Sequence, residues 1–434
     1  MNKNVNINLS RIIGAIILSV NSPTLFGQEH LNTEFVTTWT ASPQAVWDDS
    51  FIFPPNIPKL LEDQTVRQAI KVSLGGDKIQ IELSNAHGDS AVNLRSVTVG
   101  IPISSEHSYA LNKIVNVTFD GKQSATILPG SSLLSDELTL AVDDLSELVI
   151  SFYIPDRVKV ETFHWDGRQT NYIASGNQAQ SQNLSGELYE TTARLFVSGI
   201  YVGRQGATTL AVIGDSITDG ATASLNKNAR WTDFLAKRLK PLDMAVINAG
   251  ISGARLLSDG MGSNAISRLQ RDVLSKPGVS SLIVLLGIND ISWPGTLFAP
   301  DQELPDIEQL KAGLIQLVKQ ANLQGVSVIG ATLPPFEGAL QDTPIKHYYS
   351  DAKNQLRLTL NDWIKNSLAF DEVIDFDSIL RDPKDFNRIN PAYDSGDHLH
   401  PGDAGNKAMA YGIEIKKLNA TSQKKVKYQT KRGN

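Results

Sequence analysis

The chain has 434 residues, a formal net charge of −6 and no cysteine. That length exceeds what one hydrophobic core ordinarily serves, so two domains are expected. The lack of cysteine excludes a disulfide framework, a thiolate metal site and a cysteine nucleophile, and the charge gives no electrostatic case for binding nucleic acid.

At the N-terminus, Lys3 and Arg11 precede an apolar run from Ile12 to Val20, followed by Asn21, Ser22, Pro23 and Gly27. A basic stretch, a short apolar stretch and a small residue form the pattern of a secretory signal. The run is too short to span a bilayer. Residues 1–27 are therefore expected to be a signal peptide, with the protein exported to the periplasm or the extracellular space and not stably inserted in a membrane once the signal is removed. The alternative is an apolar first element of the mature fold.

Residues 28–205 read as an antiparallel β domain, sandwich-like. Lys78 to Ser84 alternates polar and apolar residues, and Leu138, Leu140 and Val142 repeat the same period of two. Leu148 to Ile154 is a fuller apolar run suited to a sandwich interior. Turn signals at Gly75-Gly76-Asp77, Asp120-Gly121, Pro129-Gly130 and Asp166-Gly167 punctuate these runs. No long amphipathic helix is expected here, and the polar stretch from Asn177 to Gly186 reads as a loop.

Residues 206–418 change texture. Strands are predicted at Leu210–Ile213, Ala245–Ile247, Leu282–Leu286, Val326–Ala331 and Val373–Phe376, with helical patterns between them. The clearest helix runs from Ile307 to Leu323, with Asp306 and Gln309 placed for a capping box and Gly325 for the stop. A last helix is expected to begin near Asp403. Such alternation implies α/β architecture: a doubly wound, parallel, five-stranded sheet. Residues 419–434 carry Lys424, Lys425, Lys427, Lys431 and Arg432 and read as a basic, solvated tail.

Four short segments fall just after predicted strands or just before helices, at the edge where open α/β sheets bind ligands. They are Gly214-Asp215-Ser216, Asn248-Ala249-Gly250-Ile251-Ser252-Gly253, Gly287-Ile288-Asn289-Asp290 and Asp397-His398-Leu399-His400. Each alone has an ordinary reading: a turn, a helix cap or a local hydrogen bond. Their joint occurrence at one sheet edge points to chemistry. A serine hydroxyl needs a base to become a nucleophile. His400 and His398 are the candidate bases. Asp397 lies where it could orient an imidazole, and Asp215 and Asp219 are rival acids better placed to cap the turn after Ser216.

In their order and spacing, these four blocks resemble those of the SGNH/GDSL hydrolase superfamily. The resemblance covers roughly the C-terminal half. It implies a flavodoxin-like fold, with Ser216 as nucleophile and His400, directly before Pro401, as base in preference to His398. Asp397 would be the orienting acid. It also implies an oxyanion hole formed by the backbone N–H of Ser216, the backbone N–H of Gly253 and the side-chain amide of Asn289, with Gly250 as the alternative glycine. The segment Thr38-Trp39-Thr40-Ala41-Ser42-Pro43 is similar to the N-terminal region of bacterial secreted esterases placed near xylan-degrading acylhydrolases.

Other features weigh against different machinery. Gly260-Met261-Gly262 does not follow a strand and is no dinucleotide site, no Gly-x-Ser-x-Gly elbow encloses a serine, and no His/Asp/Glu spacing suits a metal. Neither a metal nor an organic cofactor is expected. Trp293, Pro294 and Phe336 follow strand ends and are candidate walls of an acyl or sugar pocket, and Arg230-Trp231 opens the first helix. The expected function is a serine esterase cleaving short-chain acyl esters of carbohydrates, with an acylated polysaccharide as the substrate implied by the resemblance. The alternatives are a lysophospholipase or thioesterase on the same residues, and a glycan-binding protein in which the β domain does the work.

Overall fold

The computed structural model describes Met1 and residues 34–103 and 110–418. Apart from Met1, the expected signal peptide lies outside the described residues, as does the basic tail. From Glu34 onward the chain forms one compact unit containing two hydrophobic clusters, one in each of the regions distinguished by sequence texture.

The N-terminal region is antiparallel β. One sheet joins Phe35–Thr40, Val197–Gly203, Gly76–Ser84 and Ser132–Leu134, with Leu138–Val142 also paired to Gly76–Ser84. A second runs Leu188–Thr191, Asn171–Ser175, Gln64–Lys71, Glu147–Ile154, Ser96–Pro102 and Leu111–Asn116. Their facing side chains share one core, as the period of two demands. In Leu138–Val142 the three predicted residues are buried and the two between them exposed. Gly76–Ser84 departs from the half-buried expectation, because Glu82 and Ser84 on its polar face are buried too. The C-terminal region covers that face: the Lys276 ammonium lies 2.5 Å from the Glu82 carboxylate, which also accepts the Tyr201 hydroxyl.

The C-terminal region is a parallel sheet in the order Met244–Gly250, Thr208–Gly214, Val279–Leu285, Ser327–Ala331, Glu372–Ile374. From Thr208–Gly214 the chain passes first to one neighbour and then to the other. This reversal opens a crevice beyond Gly214, the usual ligand position in doubly wound folds. Leu210 to Ile213 is fully buried, as a continuous apolar run in a central parallel strand should be. The helix Ile307–Leu323 has its predicted bounds, with the Asp306–Gln309 capping box formed and Gly325 in the left-handed region at φ 74°. Another helix begins at Asp403. The fifth strand is shorter than predicted, because Asp375 accepts the Ser378 N–H and Phe376 already opens the helix Phe376–Leu380.

The two regions are joined by hydrogen bonds, most of them between a side chain and a backbone group. Thr37 N–H donates to the Pro277 carbonyl (2.9 Å), Thr209 Oγ1 donates to the Thr37 carbonyl (2.9 Å), Val246 N–H donates to Ser73 Oγ (3.0 Å), and Thr40 Oγ1 donates to the Asn248 carbonyl (3.0 Å). The strand Phe35–Thr40 thus lies against the strands that end in the first two sequence blocks.

Candidate active site

Ser216 is the first residue of a one-turn helix, Ser216–Asp219, separated from the strand Thr208–Gly214 by Asp215 alone. The turn is tight enough that a Cβ at Gly214 would lie 2.2 Å from Thr218 Oγ1, so glycine is required there. Asp215 caps the turn, accepting the Ile217 N–H at 3.0 Å. Its carboxyl is fully buried and its second oxygen has no partner among the described residues. Burial pushes this group up to about 7. Asp215 is therefore a cap, as the sequence suggested, and it does not touch an imidazole in the hydrogen-bond network.

Ser216 Oγ lies 2.7 Å from His400 Nε2, and His400 Nδ1 lies 2.6 Å from Asp397 Oδ2. The second Asp397 oxygen accepts the backbone N–H groups of Leu399 (3.0 Å) and His400 (2.8 Å). The carboxylate thus fixes both the ring and the backbone that carries it. Burial works to raise the Asp397 pKa, but the His400 bond and charge, with the two N–H donors, outweigh it and hold the group well below the usual carboxylate range. The His400 side chain is mostly buried, with Ser216 half-buried beside it. The rival imidazole faces elsewhere: His398, at φ 60°, has Nδ1 2.5 Å from Asp394 Oδ2.

The second and third blocks form one built piece of structure. Gly253 has φ 70°, and a Cβ there would stand 2.6 Å from Met261 Sδ and 3.0 Å from Trp293 Cζ2. Its N–H has no partner among the described residues, whereas the Gly250 N–H is taken by Asn248 Oδ1 at 2.8 Å. The difference separates the two glycines as donors. Asn289 lies in the helix Ile288–Ser292. Its Oδ1 accepts the Tyr348 hydroxyl (2.7 Å) and its Nδ2 donates to the Ala254 carbonyl (3.0 Å), which fixes the amide's orientation and leaves one amide hydrogen. Asp290 accepts the N–H groups of Leu256 (2.7 Å) and Leu257 (2.9 Å). Burial pushes its carboxyl up to about 6. Asn-Asp after the third strand therefore clamps the loop that carries Gly253.

The candidate pocket residues divide. Trp293 is 5% exposed and stacks on Phe298 at 4.5 Å, beside Gly253. Phe336, expected as a pocket wall, is instead completely buried against Tyr348 and Tyr349, so it serves the core. Trp231 is core as well, packed on Phe376, while Arg230 Nε donates to the Asp219 carbonyl at 2.6 Å. Asp219 was expected to cap the turn. Its carboxylate instead reaches across to His164 and Ser252. His164 and Tyr348 carry no sequence signal, and Ser252 is marked only as a member of its block, because their partners lie tens of residues or more away. Among the described residues no group of three or more His, Cys, Asp or Glu is placed to hold a metal ion, and no helix is long and apolar enough to cross a membrane.

A doubly wound α/β fold with Ser, His and Asp in mutual hydrogen-bond reach at its switch point, beside unpaired N–H donors, defines a hydrolase architecture. Residues 210–413 match the family model described as GDSL-like Lipase/Acylhydrolase. This segment, a little under half of the chain, resembles that family, and the match supports hydrolysis of esters in general. Solved structures similar to it include a GDSL-like lipase from Bacteroides thetaiotaomicron (18% identity, 49% of this chain and 89% of that one, TM-score 0.36). Others are a variant of an acetyl-xylooligosaccharide esterase from Geobacillus Stearmophilus (24%, 48% and 94%, TM-score 0.33) and an acetyl xylan esterase (19%, 47% and 96%, TM-score 0.34). No curated protein matches the chain.

Proposed function

We propose that the protein is an exported serine esterase that hydrolyses carboxylic esters through an acyl-enzyme on Ser216, its substrates being short acyl esters, acetyl above all, of carbohydrates. The observation that carries the catalytic reading is the continuous chain Ser216 Oγ, His400, Asp397, with contacts of 2.7 Å and 2.6 Å. In this reading His400 Nε2 takes the Ser216 proton as Oγ attacks the ester carbonyl, and Asp397 stabilises the imidazolium. The negative oxygen of the tetrahedral intermediate accepts from the Ser216 and Gly253 N–H groups and from the free amide hydrogen of Asn289. Collapse expels the alcohol, which receives the proton from His400. Water, deprotonated by the same ring, then releases the acid and restores Ser216.

The carbohydrate part extends the reading through the resemblance noted for the chain's opening strand. It is tested by turnover of acetylated xylan against a chain-length series of nitrophenyl esters, with Ser216→Ala as control. Ser216→Ala is expected to abolish hydrolysis with the fold intact, because among the described residues the hydroxyl bonds only His400. Residual turnover in the purified variant would remove Ser216 from the mechanism. Preference for long acyl chains would move the substrate to lysophospholipids or thioesters. Export is tested by intact mass of the protein recovered from periplasm or culture fluid: loss of about the first 27 residues is expected, and a retained Met1 in cytosol contradicts it.

A further inference from the structure

The N-terminal region places one side chain against the catalytic turn. His164, at the end of the strand Thr162–His164, is 6% exposed. Its Nε2 lies 2.9 Å from Asp219 Oδ1 and its Nδ1 lies 3.1 Å from the Ser42 carbonyl. The ring thus bridges the Asp219 carboxylate and the backbone of Ser42. The second Asp219 oxygen takes the backbone N–H of Ser252 at 2.9 Å and the Ser252 hydroxyl at 2.8 Å. Asp219 closes the one-turn helix that Ser216 opens, and Ser252 immediately precedes Gly253. One buried carboxylate therefore ties the nucleophile's turn to the loop that presents the second oxyanion donor.

The surrounding packing leaves that carboxylate little freedom. Asp219 N–H donates to the Asp215 carbonyl at 2.8 Å, and a Cβ at Gly250 would come within 2.4 Å of the Asp219 nitrogen. The Arg230 guanidinium, which donates to the Asp219 carbonyl, also donates to the Gly167 carbonyl three residues beyond His164. Burial alone would raise the Asp219 pKa, but His164, Arg230 and Ser252 outweigh it and keep it below the ordinary value. A buried carboxylate that loses a hydrogen-bond partner relaxes toward other partners or takes a proton. Either change would loosen its grip on Ser252.

We infer that His164 is a positioning residue for catalysis: by holding the Asp219 carboxylate, it sets the Ser216 turn and the Ser252–Gly253 loop in register with each other. The β region is thereby part of the catalytic apparatus. The inference rests on the esterase reading above. It concerns a residue outside the matched family segment, which begins at residue 210.

The test uses the full-length enzyme and a small nitrophenyl ester. His164→Leu is expected to lower kcat about 10- to 100-fold with KM little changed, because a displacement of roughly 1 Å in an oriented site costs on the order of 100-fold. His164→Gln, which keeps one N–H toward Asp219, is expected to lose less. Ser252→Ala is expected to lower kcat in the same sense, and its loss and that of His164→Gln should combine to less than their product, since both act through one carboxylate. A purely structural clasp would instead lower the melting temperature and leave kcat, measured well below it, unchanged. Should His164→Leu fail to fold, His164→Gln and Ser252→Ala carry the test. Wild-type kcat in both, or losses that multiply independently, overturns the inference. A wild-type protein that cleaves no ester overturns the esterase reading instead, so the two failures are distinguishable.

Discussion

Asp215 offers a quantitative test of the active-site electrostatics. Its carboxyl is fully buried at the head of the Ser216 turn, one oxygen accepts a single N–H, and the other has no partner among the described residues. Desolvation disfavours the charged form and pushes the pKa from 3.8 to about 7. The sign is opposite to that of a salt-bridged carboxylate. Between these two pH values the folded state holds a proton that the unfolded state has released, so stability falls as pH rises, and the loss is complete above the folded value. Each unit is worth about 1.4 kcal/mol, so from pH 5 to pH 8 this group alone removes about 3 kcal/mol. Asp215→Asn retains an acceptor for Ile217 and cannot ionise. Urea unfolding of both proteins at pH 5, 6, 7 and 8 should show the variant gaining on the wild type by about 3 kcal/mol across the series. Other titrating groups cancel in the difference. A gap that stays constant from pH 5 to 8 would refute the reasoning, because it would mean that burial does not control this carboxyl.

The remaining predictions concern turnover. Asp397→Asn should cut kcat about 10⁴-fold by favouring the wrong His400 tautomer, and should slow phosphonate labelling of Ser216; labelling at the wild-type rate would assign the acid's role elsewhere. Asn289→Ala should lower kcat by roughly 100- to 1000-fold, the usual cost of one oxyanion donor. A change in KM with kcat intact would make Asn289 a substrate contact or a loop support instead. His398→Ala should leave kcat near the wild-type value, since its imidazole is bonded to Asp394 and faces away from Ser216; a loss as deep as that of a His400 substitution would reopen the choice of base.

The parts of the site that were legible in sequence are those specified within a few residues. A buried strand that stops at Gly-Asp-Ser, a helix with its own capping box, and an Asp three residues before His are each local arrangements. Their bounds or bonds in the structure follow from backbone geometry nearby. The same locality explains the errors. Asp219 looks like a cap because it lies in the serine's turn, yet its carboxylate bonds residues 55 and 33 positions away in the chain. Phe336 looks like a pocket wall because it follows a strand, yet it is completely buried in the core, packed on two tyrosines beyond it in sequence. Val373–Phe376 reads as a strand through its apolar residues, but Asp375 interrupts that run with a helix cap.

The division into two regions shows the same limit at larger scale. Composition separates antiparallel β from alternating α/β, and each texture builds its own core. What composition does not reveal is that the polar face of Gly76–Ser84 is covered at Glu82 and Ser84. Glu82, polar as an exposed strand residue should be, meets Lys276 in the interior. The paired charges are tolerable there because each satisfies the other, and removing Glu82 would leave the buried Lys276 ammonium without its acid. The same economy governs His164 and Asp219. In both places a buried carboxylate from one region of the chain is held by a side chain from the other. The interface is thus specified by complementary buried polar groups, and at His164 the partner is Asp219, in the turn that carries Ser216.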